Sequence, residues 1–316
     1  MGSLIGHVAP GLGFLVIGLW HLYNNLRLLA LKGPSLYKSR PWFPSDRNHG
    51  LPRLLELYLI ISGCTLAVSM ELFISPAKHQ PLDSDGTIPS YHLHNFEHSS
   101  ISLSFIAYAL SALALDQWAS ASHRRIPAQH DVLYFIAALS FAQEFLMFHL
   151  HSSDHMGVEG QYHWLLQLVI FVSLSTSILG FGRGNGSFSV AFVRSLSIVF
   201  QGVWFVIIGF ALWTPGLIPK GCFMHVVDGR TVVGCHGEES LNRAKALVNI
   251  LFSWILVLLA LFAASFYLFI MIVYGNATVK YSAVSEEEDD DEDDIETPKK
   301  TYNTCAGTQG FVSNKV

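Results

Sequence analysis

The amino-acid sequence predicts an all-α membrane protein, a seven-transmembrane-helix bundle followed by a short acidic tail. Three observations carry that expectation. Of 316 residues, 51% are hydrophobic and only 14% are charged. The apolar residues fall into seven runs, each near the roughly 20 residues that a helix needs to cross a bilayer core. Lipid offers no hydrogen-bond partner to a free N–H or C=O, so each run must be helical.

The runs lie near residues 4–31, 53–74, 98–118, 131–150, 162–181, 192–213 and 246–274. The first lacks a preceding basic region, contains Pro10 and is too long for a signal-peptide core, so it is read as a retained helix. Orientation follows from Lys and Arg in the short connectors. Lys32, Lys38, Arg40, Arg47 and Arg53 follow the first run, Arg124 and Arg125 the third, and Arg183 and Arg194 the fifth. These loops are expected in the cytoplasm, with the N-terminus lumenal or extracellular and the C-terminus cytoplasmic. The last loop, with Lys220, Arg230, Arg243 and Lys245 beside Asp228, Glu238 and Glu239, is the exception. It also holds Cys222 and Cys235 around a Gly-rich insert, where an oxidising compartment lets them pair as a disulfide. Trp20, Trp42, Trp164 and Trp213 suit interfacial anchoring. Arg27 and Glu56 are placed to pair near the cytoplasmic ends of their helices.

Residues 1–275 thus form the membrane domain, and 276–316 an acidic, disordered cytoplasmic tail. The run from Glu286 to Glu296 is nearly all acid, which repels itself and buries no apolar area. It is expected to be either a solvated spacer or a surface for cytoplasmic partners. No nucleic-acid, Walker or dinucleotide signature is present, and the partner implied by the rest is the lipid bilayer.

The chemistry concentrates at one side. Between Glu144 and His163 the chain carries four histidines (His149, His151, His155 and His163) and three acids, with Glu144 deepest, then Asp154 and Glu159. His7 opens the first helix at the same side, Glu71 closes the second, and His94, Glu97 and His98 share one face of the third at i, i+3 and i+4. Ionisable groups in or at the rim of a hydrocarbon slab are costly unless paired or bound, so such a cluster marks a functional site. Imidazole and carboxylate are ligands for zinc and similar divalent ions. The preferred metal ligands are His98, His151 and His163 with Glu144 and Glu159; His7, Glu71, His94, Glu97 and His155 support them.

Several motifs resemble the transmembrane protein 45 family, seven-helix membrane proteins of unestablished biochemical function. They are Gly6-His7-Val8-Ala9-Pro10-Gly11 with Gly18-Leu19-Trp20, then Glu71, His98, the Glu144 to His151 spacing, and Glu159 before His163-Trp164-Leu165-Leu166. Arg194-Ser195-Leu196-Ser197-Ile198-Val199-Phe200-Gln201-Gly202-Val203-Trp204 completes the set. The resemblance covers about residues 1–275. Two departures stand out: Ser153 and Glu159 occupy positions where animal-type members carry His and Asp. The resemblance implies residence in the secretory pathway (Golgi or endomembrane) or plasma membrane, and plant-type members carry a stress-response label. Three functions fit. The first is a metal- or proton-responsive membrane protein, the second a zinc-dependent intramembrane hydrolase of a lipid-like substrate, and the third an adaptor acting through its tail. The lack of a recognisable nucleophile or metallohydrolase motif favours the first.

Overall fold

The computed structural model describes residues 3–45, 51–74, 80–122, 126–150, 157–182, 187–227 and 230–290. Among the described residues, seven helices are long and apolar enough to cross a bilayer. They are α1 Leu4–Leu36, α2 Leu55–Ser69, α3 Leu93–Ser122, α4 Gln129–Leu150, α5 Gly157–Gly180, α6 Phe188–Trp213 and α7 Glu238–Asp290. A π-helical turn, Met70–Ile74, continues α2. The Gly-rich insert between α6 and α7 is an antiparallel hairpin, β1 Cys222–Val227 and β2 Arg230–Cys235. Its strands carry four valines, side chains that pleated structure favours. Cys222 faces Cys235 across the hairpin's open end, joined by a disulfide.

The helix ends differ from the sequence expectation for local reasons. α3 starts at Leu93 rather than near 98, and α5 at Gly157 rather than near 162. His94 and Glu97 on α3 and Glu159 on α5, expected to open their helices, lie in the first turns, where exposed N–H groups tolerate polar side chains, Glu159 especially. α7 begins at Glu238-Glu239, two acids suited to a helix N-terminus, and continues past Tyr274 to Asp290. Good helix formers such as Ala, Lys and Glu lie in that extension.

α5 and α6 are the most buried helices, and α2 and α7 the least. α6 is the axis: Trp204, Phe205 and Ile208 are among the largest fully buried side chains, and Trp204 Nε1 donates to Tyr162 O at 3.0 Å. Its tightest partner is antiparallel α1. Gly11 and Gly18 on α1, seven residues apart, meet Gly202 and Val199 on α6, and Gly209 lies against His7. A Cβ on Gly11 would lie 2.9 Å from Gly202 O, one on Gly18 2.6 Å from Val199 N, and one on Gly202 against the Leu15 backbone. Absent side chains let the two backbones touch, the means by which helices pack in lipid.

The chain turns inward from a kink near the end of α1. Gly33 takes φ 68°, ψ 170° before Pro34, and Tyr37, Ser39, Trp42, Phe43 and Ser45 are then buried. Trp42, expected as an interfacial anchor, packs instead on Leu57, Tyr108 and Leu133. Replacing Gly202 with Val is therefore expected to cost about 1–3 kcal/mol or more through overpacking. Gly13, with nothing within 4 Å of its Cβ position, should accept Ala without loss; thermal unfolding in detergent checks both.

Candidate functional site

His7 lies on the first turns of α1 and is 2% exposed. Ser3 caps that helix, its hydroxyl accepting from Gly6 N at 3.1 Å, and its carbonyl stands 3.2 Å from His7 Nδ1. A carbonyl only accepts, so Nδ1 carries the hydrogen and, in the neutral ring, His7 Nε2 presents a lone pair. That nitrogen faces His163 Nε2 of α5, also buried, at 3.4 Å. Trp213 covers His7 with ring centres 4.6 Å apart, and Phe148 lies 5.7 Å from the His163 ring.

A second pair closes the same end of the bundle. Glu71, in the π-helical turn, lies 3.7 Å from His98 Nδ1 of α3, and Asn95 Nδ2 donates to Glu71 Oε2 at 2.9 Å and to its carbonyl at 3.0 Å. The π turn lets one carboxylate and one carbonyl face a single Asn. The His94 ring stands 6.1 Å from that of His98.

Glu144 is separate from these. It is 1% exposed in α4, and Gln201 Nε2 donates to its Oε1 at 2.6 Å. Glu144 Oε2 and Gln201 Oε1 have no hydrogen-bond partner among the described residues. Gln201 lies eight residues along α6 from Gly209, the residue packed on His7, which is about 12 Å along the helix axis. Phe205 fills part of that interval, packed on Phe148 and Phe14. His149 Nδ1 is 3.3 Å from Gln167 Oε1, and Gln167 Nε2 donates to Phe148 O at 3.0 Å.

Of the sequence-derived site, the fold therefore joins His7 to His163 and Glu71 to His98, with His94 beside the latter. Glu97 is half-buried on α3, and Glu159 stands one turn before His163 on α5. Glu144 is held at another depth by Gln201. His151 and His155 lie outside the described residues. Among the described residues, no group of three or more His, Cys, Asp or Glu side chains is arranged to hold a metal ion.

The opposite end holds a polar network that sequence reasoning missed. Glu56, expected beside Arg27, accepts from Trp20 Nε1 at 3.0 Å and Phe43 N at 2.8 Å, and its Oε1 is 2.7 Å from His21 Nε2. Arg27 instead lies over the Tyr274 ring. Arg194, assigned to a loop, is 4% exposed within α6 and stacks on Tyr134; its Nη2 donates to Tyr134 Oη at 3.1 Å and Ser39 Oγ at 3.3 Å. Tyr134 and Ser39 are also hydrogen-bonded to each other. Tyr37 Oη donates to Asn25 Oδ1 at 2.6 Å, and burial pushes that phenol above its ordinary range. Arg53 forks onto Asp116 at 2.7 and 2.6 Å, which holds its guanidinium protonated beyond the usual arginine range. One signal was available for Arg194, the one charge in the helix Phe188–Trp213, at its seventh residue.

Fold and sites together define a multi-pass integral membrane protein with buried polar clusters near both ends. Residues 130–268 match the model of a family described as a family of unknown function (DUF716). The matched stretch contains Glu144, Glu159, His163, Arg194 and Gln201; His7, Glu71 and His98 precede it.

Replacing Gln201 with Leu removes the donor to Glu144 and is expected to destabilise the protein by about 1–3 kcal/mol. The double replacement Glu144→Leu/Gln201→Leu should recover most of that loss, as measured by thermal unfolding in detergent.

Proposed function

We propose that this chain is a membrane protein of the transmembrane protein 45 type whose His7/His163 pair takes up a cation. That cation is a divalent metal ion of the zinc class or a proton, at a lumenal or extracellular site in the secretory pathway or plasma membrane. One observation carries the reading: two buried imidazoles on different helices meet nitrogen to nitrogen at 3.4 Å, with the far nitrogen of His7 anchored on the Ser3 carbonyl. Two lone pairs cannot face each other there: in the neutral pair His163 Nε2 donates its hydrogen to His7 Nε2. An added proton or a metal ion is the charge such a pair can take up, histidine being the side chain that changes charge near neutral pH.

A tetrahedral zinc ion also fits the spacing. Zn–N bonds of about 2.0–2.1 Å set two ligating nitrogens about 3.3 Å apart, and a carbonyl on the other ring nitrogen is the usual second partner of a ligating histidine. His98, a sequence-derived ligand on α3, is a further donor such an ion would draw on. Glu144 belongs to a different level of the bundle and takes no part in this reading.

Metal content by mass spectrometry on detergent-purified protein, beside a monodisperse His7→Ala/His163→Ala variant, tests it. About one equivalent of metal, lost in the variant, supports the metal form. Metal-free wild type whose thermal stability changes between about pH 5 and 8, with the change absent in the variant, supports the proton form. Neither behaviour in well-folded wild type overturns the proposal.

A further inference from the structure

Glu144 of α4 meets Gln201 half-way along α6. Gln201 stands thirteen residues from the start of that helix and twelve from its end, about 20 and 18 Å along the axis. Both side chains are all but inaccessible, at 1% and 0% exposed. Phenyl rings border them. Phe141 and Phe148 lie one turn to either side of Glu144 on the same face of α4, and ring contacts of 5.4, 5.7, 5.8 and 5.9 Å join them through Phe105, Phe14 and Phe205.

Nothing in that setting balances a negative charge. Among the described residues, no cation lies within ion-pair distance of Glu144. Basic side chains on the surrounding helices are engaged elsewhere: His98 of α3 with Glu71, His149 of α4 with Gln167, His163 of α5 with His7, and Arg194 of α6 with Tyr134. Cys64 of α2 is a thiol and brings no positive charge. An isolated carboxyl in apolar surroundings is neutral rather than ionised, because burial of the lone charge costs far more than burial of the acid.

The hydrogen bonds give the same answer independently. Gln201 Nε2 donates to Glu144 Oε1 at 2.6 Å. The other atom of each group, Glu144 Oε2 and Gln201 Oε1, is buried with no partner among the described residues. A carboxylate and an amide oxygen only accept, so neither can satisfy the other, whereas a protonated carboxyl gains one O–H donor. A single hydrogen on Glu144 Oε2, given to Gln201 Oε1, supplies both of the buried atoms that lack a partner.

We infer that Glu144 holds a proton at neutral pH and closes an acid–amide ring with Gln201, forming a proton-binding site in the interior of the bundle. The ligand is the proton itself, so the site needs no cavity. Donors and acceptors match only while the proton is bound. Its loss leaves two acceptors with no donor between them, at the point where α4 reaches α6, so proton occupancy is linked to the packing of those helices. Gly209, which packs on His7, is eight residues from Gln201, about 12 Å along α6. The inference is therefore independent of what the histidine pair binds.

Infrared spectroscopy on the full chain in an ester-free detergent tests it. A neutral carboxyl absorbs as a C=O stretch above the amide and carboxylate bands. Wild-type protein at neutral pH should show that band, and Glu144→Gln, which keeps the shape of the neutral acid and a donor toward Gln201, should lose it. In Gln201→Leu the band should move to higher frequency, because the carboxyl carbonyl loses its hydrogen bond. In His7→Ala/His163→Ala it should stay in place. Wild type without a neutral-carboxyl band overturns the inference, as it would if a metal ion rather than a proton lay between the two oxygens. A band that persists in Glu144→Gln belongs to another acid and overturns it as well. If Glu144→Gln does not fold, the Gln201→Leu spectrum decides, and an unshifted band there is the overturning result.

Discussion

The close contact of α1 with α6 is the constraint on which the rest of the bundle depends. In a bilayer, no hydrophobic force draws one apolar helix to another, so close packing and buried polar bonds must do so. Gly11, Gly18, Gly202 and Gly209 supply the packing. Once the backbones touch, α1 carries His7 to His163, His21 to Glu56 and Asn25 to Ser195. Every buried polar site that uses α1 is positioned by that contact.

The polar groups are layered along the bundle. His7 and His163 lie near one end, Glu144 and Gln201 lie deeper, and Glu56 and Arg194 lie near the other end. Phe14, Phe148 and Phe205 fill the space between the first two layers, so the histidine pair and Glu144 sit in different surroundings. One imidazole pair meets through its ring nitrogens among aromatic rings, whereas the deep carboxylate has a single amide donor. Chemistry at one layer is thereby insulated from chemistry at the next.

Much of this was legible in the sequence. Seven apolar runs gave seven helices because length and hydropathy are local properties. His7, Glu71, His98 and His163 could be named because ionisable side chains in apolar runs are conspicuous. Their pairing could not be read, since periodicity identifies the face of a helix and not the neighbour it meets. The seven-residue glycine spacings on α1 and α6 were a signal of that neighbour. Arg194 was counted with the loop before α6 although the apolar run set at 192–213 already contained it; α6 starts at Phe188, which puts Arg194 in its second turn. Glu56 was assigned to Arg27 because proximity to a helix end was taken as proximity in space, whereas an irregular segment supplies one of its partners. Such a segment leaves no periodic trace.

Pairing the first transmembrane helix with the sixth also orders events during synthesis. When α1 leaves the ribosome, its closest partner has not been made. At roughly 5–20 residues per second, the stretch from Leu36 to Trp213 takes on the order of ten seconds or more to appear. Through that interval His7 and Asn25 are without their partners His163 and Ser195, which lie on α5 and α6. The seat of α1 is therefore completed only once α6 has been made.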